Sequence, residues 1–217
     1  MKFRSHEKPI AYEEARLLQL TLVEERARDE IPDTVLFLEH PPVITQGRGL
    51  QFTGIPRERH MPAPLSLPAG MEFCETERGG DLTYHGPGQL VIYPICKVSD
   101  VAAFLRFLEG AMISVLREKY RLEACSRENA TGVWVGERKI ASIGIALRKW
   151  VTYHGIAINM VNDLTPFHLI SPCGYQSEVM TRLADLVSPD CLDAKNWRAP
   201  FEEAFREEFS GLSELAH

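Results

Sequence analysis

The sequence predicts an α+β chain in which a mixed, largely antiparallel β-sheet is flanked by helices. Three observations lead there. Strand-like and helix-like segments come in blocks and do not alternate strictly. Residues 133–135, a Gly136-Glu137 pair suited to a tight turn, and the runs 138–147 and 151–160 read as an antiparallel meander. Residues 101–120 carry one apolar stripe, Val101, Phe104, Leu105, Leu108, Met112, Val115 and Leu116, as a core-facing helix does. At about 150 residues per domain, the 217-residue chain is expected to form a single domain over 1–217.

The elements follow in order. In 12–29, Ala15, Leu18 and Leu22 recur at helical spacing between charged residues, which predicts a first helix. Residues 34–38 and 43–45 are short apolar runs separated by His40-Pro41-Pro42, so they read as two strands with a loop. Pro56, Pro62, Pro64 and Pro68 crowd a stretch without periodicity, expected to be a long mobile loop ending at Gly70. Residues 71–76 and 89–95 are strand-like. Between them the glycines of 78–89 are dense enough that no regular structure is expected there. Ser99 or Asp100 can cap the second helix, and 200–209 closes the chain as an amphipathic helix.

Composition narrows the function. With 30 Asp+Glu against 24 Lys+Arg the net charge is −6, so no whole-chain basic field exists to hold nucleic acid or anionic lipid. The first residues are charged and lead into no apolar export core, and no charge-free stretch reaches the ~18 apolar residues of a membrane span. Five cysteines, Cys74, Cys96, Cys125, Cys173 and Cys191, include no Cys-x-x-Cys pair, so neither a disulfide framework nor a structural zinc site is written here. A cytoplasmic protein with reduced thiols is expected, with Cys74 and Cys191 inert by default.

Cys173 stands apart, because Pro172 and Gly174 place it on a sharp turn, where a sulfur is more exposed than at Cys96 or Cys125 beside apolar strands. A nucleophilic thiol needs an activator. Lys139, at the start of the apolar run 140–145, is one candidate, since desolvation fits an amine for base work. His85 and His154, each beside a glycine, are rivals. The Arg78-Gly-Gly segment matches neither Gly-x-Gly-x-x-Gly nor the Walker pattern, so its glycines point to close backbone approach to some other ligand. His154, Gly155 and Asn159 repeat that idea. Ser142 and Gly144 are small enough to leave room for an acyl chain along a strand.

Taken together these residues resemble a known family. Arg78-Gly-Gly-Asp-Leu-Thr-Tyr-His-Gly-Pro-Gly-Gln-Leu-Val-Ile-Tyr93 is similar to the signature of lipoyl(octanoyl) transferases, which move octanoyl groups from acyl carrier protein to protein lysines. Glu39-His-Pro-Pro-Val-Ile-Thr-Gln-Gly47, Gly132-Val-Trp-Val, Lys139-Ile-Ala-Ser-Ile-Gly144, Tyr153-His-Gly-Ile-Ala-Ile-Asn159 and Pro172-Cys-Gly174 resemble its other blocks, in order, over about 36–183. Thr131 departs from the family's common proline, and the composition of the loop between Gly49 and Gly70 matches no family block.

The resemblance implies the fold of biotin and lipoate protein ligases, with Cys173 as nucleophile and Lys139 as its partner. It implies substrate contacts from Arg78, Gly79, Gly80, Asp81, Leu82, Thr83, Tyr84 and His85, from Ser142, Ile143 and Gly144, and from Gly155, Ile156 and Ala157. The expected donor is octanoyl-acyl carrier protein. The expected acceptors are lipoyl domains of 2-oxoacid dehydrogenase complexes and the glycine cleavage H protein. Neither ATP, metal nor other cofactor is needed for such an exchange, and backbone N–H groups of Gly79, Gly80 or Gly144 are candidates to hold the oxyanion. Because such partners are commonly acidic, a local basic dock is expected among Arg48, Arg57, Arg59, Arg148 and Lys149. The rivals are an ATP-dependent lipoate or biotin ligase on the same fold, a Cys-His thioester hydrolase, and a module that only holds acylated carriers.

Overall fold

A computed structural model of the chain describes residues 1–49, 67–128, 130–170, 179–193 and 195–211. In chain order its elements are β1 (Lys2–Ser5), α1 (Tyr12–Ala27), β2 (Thr34–Leu38), β3 (Val43–Gln46), β4 (Glu72–Glu75), β5 (Leu82–His85), β6 (Gln89–Ile95), α2 (Val101–Tyr120), β7 (Ala124–Cys125), β8 (Gly132–Val135), β9 (Arg138–Arg148), β10 (Val151–Asn159) and α3 (Arg198–Ser210). Single 3-10 turns lie at Thr165–Leu169 and Leu183–Asp185. The large sheet runs β1-β2-β6-β10-β9-β8-β7 and the small one β4-β3-β5. Only β1/β2 and β3/β4 pair in parallel among these strands, so both sheets are mixed and mostly antiparallel, as expected.

Period-two alternation explains the layering. Leu90 and Ile92 of β6 and Ile156 and Ile158 of β10 face one side of the large sheet, where α2 and α3 bury Phe104, Leu108, Met112, Phe201, Phe205 and Phe209 against them. Val91, Tyr93, Tyr153 and Ala157 face the other side, under Ala15, Leu22 and Val23 of α1. The small sheet packs Ile44, Leu82 and Tyr84 against Phe167, Ile170 and Met180. Asp100 is the cap of α2, accepting the Ala103 N–H at 2.9 Å, and the helix ends at Arg121 with a left-handed φ of 59° and a Leu122 N–H to Leu116 O bond of 3.2 Å.

Several expectations need correction. The glycine-dense segment does contain a strand, β5, because Leu82-Thr-Tyr-His pairs antiparallel with β3 in the register Thr45↔Thr83. The charged N-terminus forms β1, held parallel to β2 at the sheet edge, where a polar strand tolerates water. The strands at 34–38 and 43–46 belong to different sheets. Cys125 is exposed, since β7 is the last strand of the sheet among the described residues, whereas Cys96 is buried as expected. Most of the proline-rich stretch, 50–66, lies outside the described residues.

Candidate active site

Three pieces of chain close a narrow cleft of about 440 Å3 including its open mouth. Its floor is the α1-facing side of the large sheet at Val91, Tyr93, Ser142, Gly144, Gly155 and Ala157, and Ile143 and Ile156, whose side chains belong to the core on the other side, also border it. Arg78, Gly79, Gly80, Thr83 and His85 form the wall, and Tyr12 and His154 complete the lining. Alternation along β5 divides the signature: Thr83 and His85 face the cleft, whereas Leu82 and Tyr84 face the small-sheet core. Asp81 lends its backbone instead, its carbonyl accepting from Arg78 Nη2 at 2.7 Å and from the Gly47 N–H at 3.0 Å.

The glycines serve backbone approach rather than ligand space. A β-carbon on Gly144 would stand 2.7 Å from the Gly79 carbonyl oxygen, and one on Gly155 would collide with the Ile92 carbonyl. The place over Gly144 is therefore taken by the Arg78-Gly79 loop, which corrects the expectation of empty space for an acyl chain there. Gly79 N–H donates to Ile145 O at 2.9 Å, so it is already committed and is not an oxyanion donor. Arg78, 7% exposed, is the post around which the loop winds. Its guanidinium donates to Thr45 Oγ1, Thr45 O, Gly79 O and Asp81 O at 2.7 to 3.2 Å. Among the described residues no carboxylate pairs with it, so the cleft carries a fixed positive charge.

Around this cation the imidazoles are neutral. His40 Nδ1 donates to Ile10 O at 2.7 Å and its Nε2 accepts from the Tyr93 hydroxyl at 2.8 Å; burial lowers its pKa to about 4. His85, buried, is pushed well below the usual histidine range by desolvation, then by His40 and Arg78. His154 is lowered by burial against the opposing pull of Glu77, whose Oε2 lies 3.6 Å away. Its backbone sits at φ 59°, uncommon for a residue with a side chain, and its N–H leaves the ladder to bond Gln19 Oε1 of α1 at 2.7 Å. The ring then meets Tyr153, Tyr12 and Tyr93 at centroid distances of 4.7, 6.4 and 6.2 Å.

Lys139 does not line this cleft. It is 3% exposed, with Nζ donating to Thr131 O at 2.8 Å and lying 5.6 Å from the Trp134 ring centre. Gly132, at φ 134°, makes room: a β-carbon there would stand 2.6 Å from Lys139 Cε. Glu109 of α2 accepts the Gly132 N–H at 3.0 Å and pins that turn. Cys173 lies in 171–178, outside the described residues, as do Pro172 and Gly174. The chain returns from that segment beside Lys139, which makes a parallel bridge with Met180 and accepts the Thr181 N–H at 3.0 Å on its carbonyl.

Two parts of the expected dock, Arg148 and Lys149, both bind Glu24 of α1, at 3.0 and 2.6 Å. Arg148 sits nine residues along β9 from Lys139, with Lys149 just past the strand's end, about 30 Å away at 3.3 Å per residue. They are therefore neither an unpaired basic surface nor close to that lysine. Arg57 and Arg59 lie outside the described residues, and Arg48 is exposed. Sequence reasoning missed Tyr12 and Tyr93 as parts of the site, and Thr76, whose Oγ1 lies 3.4 Å from His154 Nε2; each sits inside or beside an element whose apolar pattern hides it.

Comparison with known proteins now adds the family. The model of the lipoyl protein ligase A/B catalytic domain matches residues 11–206. An octanoyltransferase of Alkaliphilus metalliredigens is 41% identical over 181 residues, 81% of each chain. One from Solibacter usitatus is 45% identical over 81% of this chain and 79% of its own. The chain belongs to this family, among the octanoyltransferases. The fold agrees: lipoate-protein ligase A bound with ATP aligns at a TM-score of 0.68 and 18% identity over 97% of this chain and 86% of that one. The Thermoplasma acidophilum lipoate protein ligase aligns at 0.66 and 18% over 96% and 83%. As a family member, the chain is an acyltransferase working in protein lipoylation. Among its described residues no helix is long and apolar enough to cross a membrane.

Proposed function

We propose that this chain, acting as one catalytic domain in the cytoplasm, carries octanoyl from acyl carrier protein to a lipoyl-domain lysine through an acyl-Cys173 thioester. The observation that supports the reading is the bridge between Lys139 and Met180, which sets the buried lysine beside the chain two residues past the end of the segment that bears Cys173. In the first step the Cys173 thiolate, beside the Lys139 ammonium, attacks the donor thioester; a C–S bond forms, the carrier's C–S bond breaks, and its departing thiolate takes a proton from solvent, while Lys139, no longer beside a thiolate, gives its own proton up to solvent and is left as a free amine. One thioester replaces another, so no ATP is consumed. In the second step the amine of the acceptor lysine attacks acyl-Cys173; the C–N bond forms, the C–S bond breaks, and the amine's proton passes to Lys139. Thioester becomes amide, which runs downhill.

The surroundings suit this division of work. Lys139 Nζ rests on a carbonyl and near an aromatic face, with no carboxylate pairing among the described residues, so it can hold or release a proton beside a thiolate. The uncompensated Arg78 charge favours negative charge developing in the cleft. Substrate contacts are assigned to the cleft-facing residues Arg78, Gly80, Thr83, His85, Ser142 and Ala157. The acceptors are the lipoyl domains of 2-oxoacid dehydrogenase complexes and the glycine cleavage H protein.

Intact mass after mixing with octanoyl-acyl carrier protein, without ATP, tests this. One octanoyl increment is expected, removable by neutral hydroxylamine and missing from Cys173→Ala. Lys139→Arg keeps the charge but cannot release the proton, so it should spare acylation more than onward transfer. Labelling that needs ATP and free acid would place the chain with the ligases, and rapid release of free octanoate with the hydrolases.

A further inference from the structure

Asn159 and Gln89 form a buried chain of amides whose direction is forced at both ends. Asn159 Nδ2 donates to the backbone carbonyl of Thr181 at 3.0 Å, so its Oδ1 must be the acceptor for Gln89 Nε2 at 2.9 Å and Asn162 Nδ2 at 3.1 Å. Gln89 Nε2 donates also to the Tyr84 carbonyl at 3.1 Å, so its Oε1 can only accept. That oxygen lies 2.7 Å from His85 Nδ1. The proton of the neutral ring is therefore on Nδ1, and Nε2 carries a lone pair on a residue lining the cleft. Thr181 closes the chain, its N–H bonding the Lys139 carbonyl at 3.0 Å.

We propose that Gln89 and Asn159 are positioning residues that lock His85 with its proton on Nδ1, so that Nε2 accepts an N–H of the attacking lysine amine. This rests on the transfer reading above. The hydrogen bond aims the amine's lone pair at the acyl carbon, while the displaced proton goes to Lys139. His85 takes up no proton itself. The charged and titratable groups that act on its ring are His40 from the β2–β3 connection, Arg78 ahead of β5 and His154 of β10, with Tyr12 of α1 stacked 5.9 Å away. Burial is the first cause that keeps the ring neutral, and none of these groups is a carboxylate to oppose it, so the ring serves as a fixed acceptor. The same amide chain holds Thr181, and through the Thr181 N–H it reaches the Lys139 carbonyl, so one network links the His85 ring to the strand that carries Lys139.

The test reads the ring directly. In the full chain labelled with 15N-histidine, with His85→Gln for assignment, His85 is expected as the Nδ1–H tautomer, unchanged between pH 5 and 8. Gln89→Glu places a carboxylate beside Nδ1 and removes the donors to Tyr84 O and Asn159. His85 should then titrate within that range, and kcat of the transfer step should acquire an acid limb, while octanoylation of Cys173 changes little. Gln89→Leu should lower kcat of transfer roughly 10- to 100-fold with KM nearly constant, the size of a loss from misplaced reacting groups. An Nε2–H tautomer in the natural chain, or a folded Gln89→Glu variant with unaltered tautomer and pH profile, overturns the proposal. The tautomer is measured on resting protein, so its outcome stands apart from whether octanoyl transfer is observed.

Discussion

Gly132 shows how one missing side chain decides where a functional group sits. Its φ of 134° is closed to ordinary residues, and any β-carbon would strike Lys139 Cε and the Ala141 carbonyl. Because one obstacle is backbone, the structure cannot yield cheaply. Gly132→Ala is expected to displace the Lys139 ammonium from Thr131 O, to destabilise the fold by about 1–3 kcal/mol, and to slow onward transfer more than acylation. Denaturant melts beside single-turnover mass spectrometry check both halves; an unchanged transfer rate would detach Lys139's position from its chemistry. The block 132–144 was legible as a motif. The contact with Thr131 O was not, because it depends on the β8–β9 pairing and not on spacing along the chain. The signature 78–89 was legible in the same limited way: its residues could be named, but their division between cleft and core needed the strand β5.

The β9–β10 hairpin illustrates the same limit for an element. Its register, Arg148↔Val151, leaves Lys149 and Trp150 as a two-residue loop, and both have positive φ, 54° and 62°, as a type I′ turn demands. Neither is glycine or asparagine, so the sequence carries a hairpin without its usual turn signal, and only the flanking apolar runs betray it. Trp150 is 62% exposed, so its ring contributes little burial to offset the left-handed backbone. Trp150→Gly should therefore stabilise the chain by about 1 kcal/mol, seen as a higher urea midpoint at unchanged slope, with octanoyl transfer retained. A lower midpoint would mean that the indole packs usefully where it appears exposed. β1 was hidden for a different reason: four residues of mixed polarity at a sheet edge show no alternation, and only pairing with β2 defines them.

Across the whole molecule, three layers meet at buried imidazoles: α1 brings Tyr12, the loop after β2 brings His40, β5 brings His85 and β10 brings His154. The layers themselves were readable from apolar periodicity, but this polar seam between them was not, since each histidine is distant from the others in sequence. The seam makes stability depend on pH with a definite sign. Unfolded, His40 gains its proton near pH 6.5; folded, it resists until about 4 because burial opposes the charge. Between those values the unfolded chain binds more protons, so stability is complete above about 6.5 and drains away as pH falls toward 4. His40 alone accounts for at most about 3 kcal/mol of this, and His85 and His154, shifted in the same direction, add to it. Glu77, held at about 2 chiefly by His154, gives way only in the lower window between about 4.5 and 2. His40→Gln keeps a donor for Ile10 O and an acceptor for the Tyr93 hydroxyl without a titrating group. Unfolding free energies measured from pH 8 to 4 should therefore fall less steeply for this variant than for the natural chain, whatever the offset between the two at pH 8. Parallel curves would show that His40 takes up its proton at the same pH folded as unfolded, and that burial does not hold the ring neutral.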